Sequence, residues 1–132
     1  MEAAKVIADT NIFVEYVRKR NKQNTSLYKI ASSHTLVTTS ITVFELYFGA
    51  RTPDAVQTIS QVLKDMAVFS FTDEAAKIAA IEQNRLRSRN KIVDIRDLFV
   101  ASIAIANDLP VATLNRKHFR NVGALHLLDV NV

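Results

Sequence analysis

Short strand-like segments alternate with helical segments along the chain, and this alternation is the feature that most restricts its fold. Four of the strand-like segments are rich in β-branched or small apolar residues, and a fifth follows at the end. They are Val6–Ala8, Thr35–Thr39, Ala67–Phe71, Val111–Thr113 and His126–Val130. Strands separated by helices predict an α/β fold with a largely parallel sheet. In such sheets, ligands bind beyond the carboxyl ends of the strands.

The composition indicates a globular protein. The 132 residues are 48% hydrophobic and 23% charged, with only two glycines and two prolines. This length fits one domain spanning 1–132, large enough to bury a core. Because there is no cysteine, disulfides and thiolate metal sites are excluded. We find no signal peptide and no apolar run of membrane-spanning length, so we expect a soluble cytoplasmic protein.

Helical periodicity locates the principal helices. Thr52-Pro53 predicts an N-cap followed by proline at the first helical position. Thr72 is expected to begin a long helix, and the apolar run Leu98–Ala106 goes nearly all the way round a helix that should be central. The helix after Pro53 is expected to bury a stripe formed by Val56, Ile59, Leu63 and Met66.

Three carboxylates stand in apolar surroundings. Glu45 is the only charged residue from Thr35 to Ala50, and a helical period places it on one face with Ile41, Phe44 and Phe48. Asp9 follows the first strand, and Asp97 opens the run Leu98–Ala106. Burying an unpaired carboxylate is costly. The three acids therefore predict one shared site, and a hard divalent cation is their natural partner.

The expected topology can bring these residues to one rim of the sheet. Asp9 lies at the carboxyl end of the first strand, and Asn115 follows the Val111 strand. Glu45 and Asp97 are expected to begin helices that follow strand ends or loops. In this interpretation Asp9 and Asp97 bind metal directly or through water, and Glu45 holds a metal-bound water. Asn115 and the hydroxyls of Thr10, Ser40 and Thr113 would orient the water shell.

Each polar residue also has a structural interpretation. Glu45 could complete a capping box with Thr42, and Asp97 could occupy a helical first turn behind an Asp94 cap. Asp9 could cap the helix at Ile12, while Asn115 could be a turn residue. For His118, at the possible edge of the site, a capping or packing role is favoured.

Basic residues point to a polyanionic substrate. The formal net charge is +4, and the lysines and arginines concentrate in three clusters at predicted helix ends or loops. Such clusters can meet a phosphate backbone, although any one of them alone is better explained as a solvated surface. The clusters are Arg18, Lys19, Arg20 and Lys22; Arg85, Arg87, Arg89 and Lys91; and Arg116, Lys117 and Arg120.

The ordered set of motifs resembles the PIN domain family, and within it the VapC-type toxins of toxin–antitoxin pairs. The resemblance rests on Asp9-Thr10-Asn11, on Ser40 with Glu45-Leu46, on the segment opened by Asp97, and on Thr113-x-Asn115-x-x-His118-Phe119. It implies a three-layer fold with a small five-stranded parallel sheet flanked by helices. It also implies a Mg²⁺- or Mn²⁺-dependent endoribonuclease that cleaves single-stranded or loop RNA.

In this resemblance, Asp9, Glu45 and Asp97 form the acidic set, and Thr10, Asn11, Ser40 and Thr113 support it. Asn115 stands where many members have a fourth acid. Asp94 is a weaker candidate for supplying the carboxylate that is missing there. The family also implies a VapB-like antitoxin and a homodimer. Two alternatives remain: an RNA-processing PIN nuclease without an antitoxin, and a PIN-like binding module that does not cleave.

Overall fold

The structure, a computed structural model, describes residues 3–130 and contains a parallel four-stranded sheet. The strands are β1 (Lys5–Ala8), β2 (Thr35–Thr39), β3 (Val68–Phe69) and β4 (Val111–Ala112), in the order β3-β2-β1-β4. Ile7 of β1 lies opposite Val37 of β2 and Val111 of β4. The strand order reverses beside β1, which is where a parallel α/β sheet binds ligands.

Helices connect the strands. Within the described residues they are α1 (Thr10–Arg18), α2 (Ser26–Ala31), α3 (Ser40–Gly49), α4 (Pro53–Leu63), α5 (Asp73–Ser88) and α6 (Ile95–Ala106). Short 3₁₀ turns cover Lys22–Asn24 and Arg116–His118. The predicted α/β class is therefore confirmed.

Threonine side chains fix where α2 to α5 begin. Each N-cap hydroxyl accepts a hydrogen bond from the backbone N–H three residues later, at 3.1 to 3.3 Å. Such a cap stabilises a helix by about 1 kcal/mol. The caps are Thr25, Thr39, Thr52 and Thr72. The predicted starts at Thr52-Pro53 and Thr72 are confirmed.

The sheet separates two apolar cores. Side chains alternate across a strand, so Ile7 of β1 points into one core while Val6 and Ala8 point into the other. The first core includes much of α6 and Ala75 of α5, and the second includes Phe13 of α1. Helices therefore cover both faces of the sheet, giving three layers. The prediction that α6 is central is confirmed, since six of its twelve residues are buried.

The expected fifth strand is wrong. The sheet has four strands, and the segment near the end forms only an isolated parallel bridge between Val111 and Leu127. Val111 donates to the His126 carbonyl at 2.9 Å, and Leu128 donates to the Val111 carbonyl at 2.8 Å. The adjacent strand β4 is only two residues long. It therefore cannot support a longer ladder.

Two further packing expectations are corrected. Val56 of α4 is 39% exposed, whereas Ile59 is buried and Leu63 and Met66 are partly buried. Only part of the predicted stripe therefore faces the core. Glu45 does not begin a helix, because α3 starts five residues earlier at Ser40.

Among residues 3–130, every helix is too short or too polar to span a membrane.

Candidate metal and nuclease site

A cleft of about 320 Å³ opens at the carboxyl ends of β1 and β4. The strand order reverses here, and α3 and α6 contribute the other walls. Three of the ten lining residues are the predicted acids. The full set is Asp9, Thr10, Asn11, Val14, Glu45, Asp94, Arg96, Asp97, Asn115 and His118.

Asp9 lies at the floor of the cleft and is only 5% exposed. Its N–H donates to the Ala112 carbonyl at 3.0 Å, and its Oδ2 accepts from the Thr113 hydroxyl at 3.0 Å. Its pKa is raised from 3.8 to about 6, mainly by burial; hydrogen bonds from Thr10 and Thr113 oppose this rise, and the charges of Asp97 and Glu45 add to it. A neighbouring cation would relieve this accumulation of negative charge.

The capping interpretation of Asp9 is wrong. The residue occupies the N-cap position of α1, but its side chain makes no capping hydrogen bond. Its Oδ2 instead bonds to Thr113, which follows β4. The carboxylate is thus bonded to the residue that follows the neighbouring strand and makes no capping bond to α1.

Glu45 enters the cleft from the middle of α3. The Thr10 hydroxyl donates to its Oε1 at 2.8 Å, and Arg96 Nη1 lies 3.4 Å from its Oε2. The proposed capping box with Thr42 is therefore wrong: Thr39 caps α3, and the Glu45 carboxylate bonds across to α1.

The apolar residues that flank Glu45 are not buried as expected. Phe44 is 58% exposed and Phe48 is 70% exposed, and their rings stack with centroids 5.7 Å apart. The buried residues of α3 are Thr42 and Leu46. The lone acid did mark the site, but the stripe around it lies largely at the surface.

Asp97 lies in the first turn of α6, behind the predicted Asp94 cap. Asp94 Oδ1 accepts from the Arg96 N–H at 2.9 Å, and this bond holds the pKa of Asp94 below its usual range. Asp97 Oδ2 lies 3.3 Å from His118 Nδ1. Burial raises the pKa of Asp97, the charge of Asp94 adds to the rise, and His118 opposes it.

A hydrogen-bond network joins the ends of β1 and β4. Asn11 accepts from the Leu114 N–H at 3.0 Å and donates to the Thr113 hydroxyl at 3.2 Å. The Asn115 N–H also donates to that hydroxyl, at 3.1 Å. Thr113 is fully buried and donates its own proton to Asp9. This network fixes the floor of the cleft.

Of the two remaining predicted residues, Asn115 lines the cleft and Ser40 does not. The exposed Asn115 precedes the 3₁₀ turn without a side-chain capping bond and lines the cleft. Ser40, the first residue of α3, is not among the lining residues.

Sequence reasoning missed Arg96 and favoured a capping or packing role for His118, which it had named as a possible edge residue of the site. Arg96 lies between Glu45 and Asp94, with 3.4 Å contacts to both. His118 contacts Asp97, so the favoured capping or packing role does not describe it. A basic residue directly before a site acid was the available signal for Arg96. For His118 the signal was its place in the Thr113-x-Asn115-x-x-His118 pattern.

The donors in the cleft suit a hard divalent cation. Within residues 3–130, no three His, Cys, Asp or Glu side chains already form a group that could hold a metal ion. The cleft nevertheless offers carboxylate and amide oxygens, and both Asp9 and Asp97 carry raised pKa values. Magnesium binds through one or two carboxylates while keeping several waters. The residues present fit an ion of that kind.

Comparison with curated proteins identifies relatives over most of the chain. It is 35% identical over 97 residues to ribonuclease VapC3 of Methanocaldococcus jannaschii, covering 74% of this chain and 95% of the relative. It is 27% identical over 125 residues to ribonuclease VapC2 of Haemophilus influenzae, covering 92% and 94%.

Solved structures share the fold. The structure of VapBC-1 from nontypeable Haemophilus influenzae matches with a TM-score of 0.83 at 21% identity, covering 97% of this chain and 99% of the other. VapBC2 from Rickettsia felis, bound to a promoter DNA fragment, matches with a TM-score of 0.80 at 24% identity, covering 94% and 97%. The PIN domain model itself matches residues 6–125. The resemblance seen in the sequence is thus confirmed, and the chain belongs to the PIN domain family.

Proposed function

We propose that this chain is a metal-dependent endoribonuclease and the toxin of a type II toxin–antitoxin pair. The observation that carries the proposal is the convergence of Asp9, Glu45 and Asp97, from three separate elements, on one cleft. The ribonuclease relatives support RNA as the substrate, and the family resemblance implies that the RNA is single-stranded or in loops. The VapBC complexes among the structural neighbours support the toxin role.

Magnesium or manganese is the proposed cofactor. Asp9 and Asp97 would hold the ion directly or through water, and Glu45 would hold a water of its shell. When bound, the ion would supply positive charge and Lewis acidity to the phosphodiester. Asn115 stands at the cleft wall with an amide that can hydrogen-bond to water or to substrate.

The surrounding residues would keep these carboxylates oriented. Thr113 holds Asp9, and Thr10 holds Glu45 at 2.8 Å. Asn11 supports Thr113 in turn. Partners of this kind in the second layer of a metal site typically change affinity or activity 10- to 100-fold, roughly, when removed. Ser40 has the weakest support among the predicted residues, because it does not line the cleft.

The binding module that does not cleave has less support. That alternative requires the acids to serve as helix caps, yet Asp9 makes no capping bond and Glu45 lies inside α3. An RNA-processing nuclease without an antitoxin would use the same cleft. Only a test for an antitoxin partner distinguishes such a nuclease from a toxin.

An apolar groove beside the cleft supports the antitoxin. The groove, about 240 Å³, lies between α1, α3 and α4 and shares Thr10, Val14 and Glu45 with the acidic cleft. A partner segment could place apolar side chains against Val17 and Leu46 while its Arg or Lys reaches the acids.

Apolar residues of α1 and α3 near the groove differ in whether they can contact a partner. Phe13 is fully buried in the core and cannot contact a partner, whereas Phe48 at the surface can. The family resemblance also supports a homodimer, which sedimentation of the purified chain would test.

Incubation of the purified protein with a mixed RNA pool tests the nuclease. We expect cleavage with Mg²⁺ or Mn²⁺, loss of cleavage with excess chelator, and no cleavage by the Asp9→Asn protein. Undiminished cleavage in chelator would contradict the mechanism. Co-expression with the neighbouring reading frame tests the toxin role: we expect growth rescue and a co-purifying complex, whereas unimpaired growth with the chain alone would contradict it.

A further inference from the structure

A second cavity, like the acidic cleft, is bordered by residues at the start of α6. Its volume is about 420 Å³, and its lining includes Arg87, Lys91, Ile92 and Leu98. Leu98 is adjacent in sequence to Asp97, which lines the acidic cleft. Val93 of the second cavity is likewise adjacent in sequence to Asp94 of the cleft, so the segment 93–98 borders both cavities and forms the wall between them.

The two cavities have opposite charge. The acidic cleft contains Asp9, Glu45, Asp94 and Asp97, whereas the second cavity has two cations and no acid among its lining residues. Within residues 3–130, the ammonium of Lys91 has no carboxylate within ion-pair distance, and Arg87 bonds only to the neutral amide of Asn84. These cations therefore keep their full charge for a ligand.

Exposed residues line the path between the cavities. Ile92, which lines the second cavity, is 95% exposed, and Ile95 of the segment 93–98 is 44% exposed, so both offer apolar surface to a ligand. On the wall itself, the Arg96 side chain is 54% exposed. Within the described residues its Nε and Nη1 contact acids, which leaves Nη2 free to donate to a phosphate oxygen.

We infer that this cavity, the basic pocket lined by Arg87, Lys91 and Ile92, binds a nucleotide of the RNA that flanks the scissile phosphate. Lys91 and Arg87 contact its phosphate, Ile92 packs against its base or sugar, and Arg96 guides the strand over the wall. The inference rests on the proposed ribonuclease function. Charge complementarity with a polyanion, and the segment 93–98 that this pocket shares as a border with the cleft, identify single-stranded RNA as the occupant.

The test compares two double variants that remove the same charge. Arg87→Ala/Lys91→Ala removes both cationic side chains from the basic pocket. Lys29→Ala/Arg51→Ala removes two exposed cations, one within α2 and one shortly after α3, whose neighbours Ile30 and Ala50 belong to the core on the other side of the sheet. Binding of a fluorescent oligoribonucleotide is measured in the Asp9→Asn background, and cleavage in the otherwise wild-type protein.

We expect the pocket variant to bind roughly tenfold more weakly, with the salt dependence reduced by about 1 to 1.5 in slope for two lost contacts. In cleavage, KM should rise by a similar factor while kcat stays unchanged. The control variant should match its parent in both assays. Charge reversal, Arg87→Glu/Lys91→Glu, should enlarge the effect, and thermal unfolding confirms that all variants fold.

The outcomes separate the two proposals. Cleavage by the wild type, with equal KM and salt slope in the pocket and control variants, would overturn the basic pocket while leaving the nuclease intact. A wild-type protein that neither binds nor cleaves RNA would overturn the proposed function itself.

Discussion

Asp9 and Glu82 are both shielded carboxylates, but their surroundings have opposite charge. Glu82 of α5 contacts Arg85 Nη2 at 2.7 Å and accepts from the Gly123 N–H at 3.3 Å. Arg85 also donates to the Asn121 carbonyl at 2.6 Å. Asp9 instead has two other acids nearby. The Arg85 hydrogen bond lowers the pKa of Glu82, whereas burial raises that of Asp9 to about 6.

The difference separates a stabilising carboxylate from one available for chemistry. Glu82 has its counter-ion within the chain, so it joins α5 to the segment at Asn121 and Gly123. Asp9 has hydrogen bonds but, within residues 3–130, no cation in contact with it, and its raised pKa means that it loses its proton only as the pH approaches neutrality. Perturbed carboxylates in a cleft are typical of functional sites. The comparison can be tested by neutralising each residue in turn.

Neutralising Asp9 should produce the largest effect. We expect Asp9→Asn to reduce cleavage at least about 1,000-fold, since loss of a direct ligand should exceed the 10- to 100-fold loss typical of outer partners. Without metal, the variant should be as stable as the wild type or more stable at pH 7. Initial cleavage rates and thermal unfolding in chelator measure both quantities.

Glu82→Gln is the matched control. It should retain cleavage but lose about 1 to 2 kcal/mol of stability, because Arg85 loses its charged partner. An Asp9→Asn protein that cleaves normally and is destabilised by about 1 kcal/mol would reverse the assignment and make Asp9 a structural residue.

The pH dependence of stability should have opposite signs at the two sites. Between pH 3.8 and about 6, folded Asp9 holds a proton that the unfolded chain releases. The free energy of unfolding therefore falls as pH rises through this window, by up to about 3 kcal/mol. Glu82, with a lowered pKa, contributes stability at neutral pH that is lost as pH falls.

Denaturant unfolding in chelator from pH 4 to 7 measures this dependence. Asp9→Asn should remove most of the loss of stability toward pH 6, the remainder coming from Asp97, whose pKa is also raised, and Glu82→Gln should leave the loss in place. Parallel pH profiles for wild type and Asp9→Asn would show that Asp9 is not the group that titrates.

Magnesium should stabilise the protein only when the cleft carboxylates are intact. At 100 times its Kd, a ligand adds about 2.7 kcal/mol to the free energy of unfolding. We expect the melting temperature of wild type and of Glu82→Gln to rise with Mg²⁺, and that of Asp9→Asn to stay constant. An equal rise in all three proteins would place the binding site elsewhere.

Substitutions of two threonines, one at the site and one at a helix cap, test the same difference between functional and structural residues, with smaller expected effects. Thr113→Val removes the hydroxyl that holds Asp9 and accepts from Asn11, so cleavage should fall roughly 10- to 100-fold. Thr52→Val removes only the α4 cap, so it should cost about 1 kcal/mol of stability and leave cleavage unchanged. Equal cleavage by the two variants would show that Thr113 does not position Asp9.

Local chemistry in the sequence was sufficient for much of the secondary structure. The strand Thr35–Thr39 has its predicted bounds, and the Thr52 and Thr72 caps lie where the helices begin. Caps and periodicity act within a few residues, so they can be read without knowing the fold. The acids of the cleft were also recognisable, because a lone carboxylate in an apolar segment needs a partner wherever that segment packs.

Packing between distant segments decided the rest. The sequence pattern could not tell that the Phe44–Phe48 face of α3 turns to solvent, because an apolar stripe looks the same against a core or an open surface. The last strand was reduced to one bridge because its neighbour β4 is too short to pair further.

The residues of the site fall into the same two groups, those that the sequence predicted and those that only the tertiary structure brought together. The sequence by itself determined that Asp9, Glu45 and Asp97 belong together, since each is a charge in an apolar context. Only the tertiary structure brought Arg96 to Glu45 and His118 to Asp97, across 51 and 21 residues of chain. Arg96, in the first turn of α6, and His118, in a 3₁₀ turn, are exposed polar residues, so no burial pattern in the sequence marks them. Their partners depend on how α3, α6 and the end of β4 meet, which no local interaction specifies.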